Sequence, residues 1–311
     1  MESNKESKQT DFRNDAFKNI KRMFIRLAFT NIEKMDEASL LELHAALKEL
    51  KERYKFVPTL ILLAETWESM NAHKEYGLQG YTYIGKPIAR NPGTTRDHGG
   101  TGVWVRNSIF SQCSTVETEK QHKDIMWLQM VDKQNTTYVA VVYSRPNDVV
   151  NHTKIMTTLE HNYAELSKTG RVVKTGDINT RITRTTRRID SHYGKYEHRL
   201  LTMMTKTGLR PLVANNATIR RDEHWTFVGR NGGRSINDYI FVEPSVLMKT
   251  TYMVHQSMNL QSQHRLMTAT LPYEYSEEGE GWGAQDRLTY EWKEESIKLY
   301  QNEIMERYES S

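Results

Sequence analysis

Thr59-Leu60-Ile61-Leu62-Leu63-Ala64-Glu65-Thr66-Trp67 is a continuous apolar run that stops abruptly at a carboxylate. A run this short, apolar at every position, reads as a strand buried on both faces, with Glu65 delivered at its C-terminal end. Upstream, Leu40, Leu43, Leu47 and Leu50 recur at helical spacing, and Ser39 with Glu42 three residues on reads as a capping box. Before that helix, Phe24-Ile25-Arg26-Leu27-Ala28-Phe29 reads as another buried strand, ending at Thr30-Asn31-Ile32-Glu33. Strand, helix, strand in this order predicts an α/β fold.

Downstream the pattern continues. Val103-Trp104-Val105 follows a glycine turn, Gly99-Gly100-Thr101-Gly102, which lacks the lysine and the following helix of a nucleotide-binding loop. Met126 to Val131 and Thr137 to Val142 flank a polar turn as a hairpin would, the second segment ending in Tyr143-Ser144-Arg145-Pro146-Asn147. Ile155, Leu159, Tyr163 and Leu166 mark a helix, Arg171-Val172-Val173-Lys174 leads to Gly176-Asp177-Ile178-Asn179, and a helix over His198 to Thr207 stops at Gly208. His224 to Val228 and Asp238 to Val242 read as strands joined by the loop Gly229 to Arg234. After Gln263-His264-Arg265 comes a last apolar strand, Met267 to Leu271. The expected organisation is a polar arm over 1–22, one α/β domain over 23–272, and an acidic link with a C-terminal helix over 273–311 that docks on a further domain or partner.

The 311 residues carry 43 Lys/Arg and 39 Asp/Glu, a net +4 that conceals an uneven distribution. Residues 171–240 hold 14 basic and 6 acidic side chains, a local +8, whereas 273–311 hold 4 and 11, a local −7. A basic middle segment suits a polyanionic partner. No apolar run approaches the length needed to span a bilayer, so a membrane partner is not expected. Cys113 is the only cysteine, which excludes an internal disulfide and a cysteine-based zinc cluster. A metal held mainly by oxygen or imidazole would be a hard ion.

Asn31, Glu33, Glu65, Tyr143, Asp177, Asn179, Asp238 and His264 all fall where apolar strands end. Taken singly each is ordinary turn chemistry. Together, Ala64-Glu65-Thr66-Trp67, Tyr143 at a strand end, Gly176-Asp177-Ile178-Asn179 and Ser235-Ile236-Asn237-Asp238-Tyr239 resemble the endonuclease/exonuclease/phosphatase superfamily over Phe24 to Leu271. The retroelement (non-LTR retrotransposon) endonucleases of that superfamily are the most similar. The resemblance implies a DNase I-like four-layer α/β sandwich, with two mixed β-sheets packed face to face and helices outside.

It also implies roles. Glu65, with Asn31 and Glu33 adjoining, would hold magnesium or manganese. Asp177 would orient or deprotonate the attacking water, and Asn179 would donate to that water or to a phosphate oxygen. Tyr143 would contact the phosphate, and His264 would donate to its non-bridging oxygens with Asp238 fixing the tautomer. One position departs from the family. Gln263 stands where an Asp normally precedes the catalytic His, which removes a negative charge from the metal site.

Arg181, Arg184, Arg187 and Arg188 follow directly on Asp177 and Asn179 and are expected to neutralise neighbouring phosphates. Arg145 adjoins Tyr143, and Arg230 and Arg234 flank a thin glycine-rich hairpin suited to a minor groove, with Thr226 and Ser235 on the same nucleic-acid side. The expected function is magnesium-dependent endonucleolytic cleavage of DNA leaving a 3′ hydroxyl; the residues do not separate DNA from RNA. The alternatives are a catalytically weakened nucleic-acid-binding module and a phosphatase of small phosphoesters. An intracellular location is expected, nuclear for a eukaryotic retroelement product.

Overall fold

The expected strand–helix–strand unit is present: β1 (Ile20–Asn31) runs parallel to β2 (Leu60–Ala64), with Asn31 opposite Ala64, and α1 (Glu37–Tyr54) crosses between them. This computed structural model describes residues 20–67, 77–86, 99–132, 135–182, 196–214, 224–258 and 260–276. The helix starts three residues earlier than the capping box predicted. Asp36 is the N-cap, accepting from both the backbone N (3.0 Å) and the Oγ (2.9 Å) of Ser39. A carboxylate at the positive end of a helix outcompetes the neutral serine.

Sheet one continues with β3 (Tyr81–Lys86) and β4 (Thr101–Arg106). Sheet two begins with β5 (Cys113–Thr115), β6 (Ile125–Asp132), β7 (Asn135–Tyr143) and, after α2 (Val149–Leu166), β8 (Arg171–Asp177). Then follow α3 (Glu197–Thr207), β9 (Arg210–Pro211), the short ribbon β10 (Phe227–Val228) and β11 (Arg234–Ser235), β12 (Asp238–Val242), β13 (Thr251–His255) and β14 (Leu266–Ser276). The two six-stranded sheets have the orders β13-β14-β1-β2-β4-β3 and β5-β6-β7-β8-β12-β9. Both are mixed, because β1/β2 and β7/β8 are parallel and the other neighbours antiparallel.

Alternation along each strand sorts the core into layers. Ile61, Leu63 and Trp104 face outward and pack with Leu40, Leu43 and Leu50 of α1. Tyr138, Ala140, Val142, Val172, Tyr239 and Phe241 face outward from sheet two and pack with Ile155 and Leu159 of α2 and Leu200 and Met203 of α3. Leu27, Phe29, Leu60, Leu62, Val139, Val141, Val173 and Ile240 are fully buried and belong to neither outer cluster; they fill the space between the sheets. The result is the expected four-layer α/β sandwich.

Three sequence readings change. Segments 224–228 and 238–242 do not pair with each other: β12 pairs β8 and β9, and loop 229–234 closes its own two-stranded ribbon. Edge strands β3, β5, β9 and β13 are additional, being short or half-exposed and without the continuous apolar run that reveals a buried strand. β1 and β14 pair from Ile20 opposite Ser276, past both expected domain boundaries. The C-terminal helix expected within 273–311 lies outside the described residues. No helix among the described residues is long and apolar enough to cross a membrane.

Lys174 is a polar intrusion into the outer core of sheet two. Its Nζ donates to the Leu159 carbonyl at 3.1 Å, faces Met203 Sδ at 3.7 Å and lies 5.0 Å from the Tyr163 ring centre. Burial lowers its pKa to about 7, opposed only by Glu160. Between that value and the ordinary ~10.4 of a free lysine the unfolded chain binds more protons than the folded one, so stability rises with pH across this window. Lys174→Met is expected to abolish about 2 kcal/mol of the stability gained from pH ~7 to ~9, read as the difference between urea unfolding curves of the two proteins.

Candidate active site

The strand registers bring the polar ends to one rim. Asn31 and Tyr143 end β1 and β7, Asp177 ends β8 directly opposite Tyr143, and Asp238 opens the antiparallel β12 directly opposite Asp177. Glu65 follows β2, and His264 precedes β14, which runs antiparallel to β1. Because the sheets pack face to face, these residues converge from both. Asn31 Nδ2 donates to Asp177 Oδ2 across the gap at 2.9 Å.

Asp177, Asp238 and His264 form the buried floor, each less than 5% exposed. His264 Nδ1–H donates to Asp238 Oδ2 at 2.9 Å, while Nε2 lies 3.7 Å from Asp177 Oδ2, beyond hydrogen-bonding range. Nδ1 faces only carboxylate oxygen there, which fixes the proton on it. Burial disfavours the charged ring, but Asp238, Asp177 and Glu33 outweigh it and raise the His264 pKa to about 10. Burial and then Asp238 raise the Asp177 pKa, against the lowering effects of His264 and Asn31. Ligand atoms of the three lie within 4.8 Å of one another and could hold a metal ion.

A second group made of oxygen ligands, its two glutamates half-buried, stands beside it. The Tyr143 phenol donates to Glu65, and burial, then Glu65 and Asp177, push its pKa up. Glu33 is raised mainly by burial and also by Glu65, and is held down by His264, by the Gln263 backbone N–H bonded to it, and by Arg230. Asn31 Oδ1 accepts from the Glu33 N–H at 2.9 Å. Glu33 (φ 54°), Glu65 (φ 52°) and Asn179 (φ 49°) all take the left-handed backbone conformation. For a glutamate this conformation is strained, and it persists only where the surroundings over-determine it.

The bracing is visible. Ile32 N donates to Ala64 O at 3.0 Å and Met35 N to Thr66 O at 2.9 Å, while Trp67 N donates to Gly99 O at 3.0 Å. The glycine turn is thus a brace for the Glu65 segment, and Gly99 and Gly100 take the positive φ that lets their carbonyls point there. Ser262 Oγ accepts from His264 N at 3.0 Å and donates to the Asn31 carbonyl, tying β14's approach to β1. Asn179 Nδ2 donates to Asp177 Oδ2 at 3.0 Å and to the Ser144 carbonyl at 2.9 Å. Both of its N–H bonds are spent on acceptors, so among the described residues the atom it leaves free is Oδ1, an acceptor and not the donor that the sequence suggested.

The expected nucleic-acid residues divide. Arg230 and Arg234 are exposed on the ribbon, which is anchored to the floor by Val228 N donating to Gln263 O at 2.9 Å and by Phe227 set edge-on to His264 at 5.0 Å. Arg145 and Arg181 are half-buried. Thr226 and Ser235 are buried instead of facing solvent, and Thr226 Oγ1 accepts from Asn237 N (3.0 Å) and Asp238 N (3.1 Å), fixing the start of β12. Arg184, Arg187 and Arg188 lie outside the described residues. Ser262, Ser144 and Thr226 escaped sequence reading in these roles because each acts through backbone groups of residues far along the chain.

Neither a protein-family model nor a curated protein sequence matches the chain. Solved structures do. The endonuclease domain of TRAS1, a telomere-specific non-LTR retrotransposon, matches over 80% of this chain and 98% of its own at a TM-score of 0.56 and 15% identity. The AP endonuclease LMAP from Leishmania major matches over 80% and 88% at 0.62 and 13%. A Neisseria 3′ phosphatase, NExo, solved with a product DNA hairpin, matches over 80% and 100% at 0.57 and 12%. The fold is therefore that of the endonuclease/exonuclease/phosphatase enzymes.

Glycine adopts the left-handed conformation without strain, so Glu65→Gly is expected to melt higher than Glu65→Ala, by the equivalent of about 1 kcal/mol. Equal thermal midpoints would show that the Glu65 backbone stores no strain.

Proposed function

We propose that this protein hydrolyses phosphodiester bonds of DNA with a divalent metal ion, magnesium or manganese, leaving a 3′ hydroxyl. The observation that carries this reading is the juxtaposition of a buried Asp238–His264–Asp177 proton-handling floor with the oxygen donors Glu65, Glu33 and Asn31 on the same rim. Two groups of residues could receive a cation. The floor already contains its own positive charge, since His264 is bonded to Asp238 and held protonated by the surrounding carboxylates. Glu33 and Glu65 instead crowd two carboxylates together in a half-buried place, beside the amide oxygen of Asn31. A hard cation fits that second set, and the ion when bound would polarise the phosphate and stabilise charge on the leaving oxygen.

Glu33 also answers the departure at Gln263. Its carboxylate is bonded by the Gln263 backbone N–H and lies within electrostatic reach of Glu65, so the charge missing at position 263 returns from β1's end. The remaining roles follow from free valences. Asp177, whose proton affinity is raised by burial and by Asp238, accepts a proton from the attacking water. Asn179 Oδ1 accepts that water's other hydrogen and orients it. His264 Nε2–H, unbonded to Asp177 at 3.7 Å, is the donor for a phosphate oxygen. Tyr143 holds Glu65 by its phenolic hydrogen and borders the phosphate. Arg230, exposed on the ribbon and close enough to act on Glu33, places positive charge beside the cleft for the neighbouring phosphates, with Arg234, Arg145 and the 181–188 arginines as further contacts.

Gln263 favours a second reading, a nucleic-acid-binding module with weakened catalysis. Nicking of supercoiled plasmid separates the two. Magnesium-dependent nicking is expected, falling about 100-fold or more in Glu65→Ala and in His264→Ala; DNA binding that weakens steeply with salt but without nicking would select the second reading. In an active enzyme Gln263→Asp should change the rate less than tenfold, because Glu33 already supplies the charge; a larger gain would remove Glu33 from that role.

A further inference from the structure

We propose that His152 is a positioning residue that sets the orientation of Asn179 through Ser144; the catalytic consequence rests on the function proposed above. Ser144 is the first residue beyond the β7 ladder and is fully buried. It is clamped three ways. Its N–H donates to the Asp177 carbonyl at 2.8 Å, its carbonyl accepts Asn179 Nδ2 at 2.9 Å, and its Oγ pairs with His152 Nδ1 at 2.9 Å. Two of those bonds belong to the active-site loop, and the third fixes the residue from behind.

His152 sits in the first turn of α2, 0% exposed, with its backbone N–H bonded to Asp148 O at 2.9 Å. Its ring stacks on Tyr196, immediately before α3, at 4.7 Å and 27°. The ring thus joins α2, the start of α3 and the exit of β7. Burial lowers its pKa to about 4, so it is neutral and presents no charge to the floor. A core that only needed volume there would be served better by an apolar side chain, since burying an imidazole and a hydroxyl costs free energy unless their bond does something further. What it does is specific. Asn179 holds a left-handed backbone at φ 49°, and its carboxamide can point Oδ1 outward only while both N–H bonds have acceptors, one of which is the Ser144 carbonyl. Pro146, two residues further, has no N–H to donate, and the bond of the Ser144 hydroxyl to His152 is a fixed point of this turn beside the Ser144 N–H bond to Asp177.

The test uses the full chain. His152→Phe keeps the ring and loses the bond, Ser144→Ala deletes only the hydroxyl, and His152→Asn can restore an acceptor at the place of Nδ1. In the metal-free protein, the Asn179 side-chain amide resonances should be resolved and slow to exchange in the wild type, and shifted and faster-exchanging in His152→Phe and Ser144→Ala. They should be largely restored in His152→Asn. With plasmid substrate, His152→Phe should lower kcat about tenfold with KM changed less than twofold, and should cause no further loss in an Asn179→Ala background. Unchanged Asn179 resonances in both His152→Phe and Ser144→Ala would overturn the proposal, as would kcat losses that multiply with Asn179→Ala. A wild type without hydrolytic activity would sink the proposed function alone, and the resonances would still decide whether His152 positions Asn179. Should His152→Phe fail to fold, Ser144→Ala carries both readouts.

Discussion

The 2.9 Å bond from Asn31 Nδ2 to Asp177 Oδ2 spans the gap between the two sheets at the one end where their packing turns from apolar to polar. Below it the inter-sheet space is filled by Leu27, Phe29, Val141 and Val173, whose burial needs no direction. Above it direction is everything. Asp177 collects Asn31, the Asn179 backbone and side chain, and the charge of His264, while Asn31 Oδ1 turns back to the Glu33 N–H. Removing Asp177 would leave the buried Asn31 amide without its acceptor, and removing Asn31 would take from Asp177 its donor on the other sheet, so sheet packing and site geometry meet at the same bond.

Charge and strain are stored on top of this constraint. Asp177 and Asp238 face each other across an antiparallel pair, and the charge of His264 beside both, with the N–H bonds of Asn31 and Asn179 to Asp177, offsets their repulsion. Glu33, Glu65 and Asn179 depart from ordinary backbone at the rim, held there by carbonyls and amides from the neighbouring strand ends. Strand ladders thus supply rigidity, and the residues just beyond the ladders supply the side chains of the candidate site, braced by residues such as Ser262, Thr226 and Ser144.

Several of these features were legible in the chain. The buried strands announced themselves as short apolar runs, α3 ended at Gly208 with φ 71° as a glycine C-cap should, and the motif residues at strand ends proved to share one rim. Local competition was harder to read: Asp36 displaced Ser39 as N-cap because it sits closer to the helix's positive end as a full charge. The sequence reads Phe227–Val228 as the end of one strand and Arg234 as the end of the following loop; the two segments instead close a ribbon of their own, and two-residue strands carry no periodicity that would reveal such a pairing.

The sequence by itself determined the buried central strands, the helices and which side chains could do acid–base or metal chemistry, because those depend on residue type and on periods of two and 3.6. Only the tertiary structure decided that Asn179 spends its N–H bonds on Asp177 and Ser144, that the Gln263 backbone N–H bonds the Glu33 carboxylate, and that Thr226 serves Asp238 instead of solvent. Each of these turns on which lone pair or proton remains after residues up to a hundred or more positions away, such as Asn31 and Asp177, have taken theirs, and sequence neighbours carry no record of that allocation.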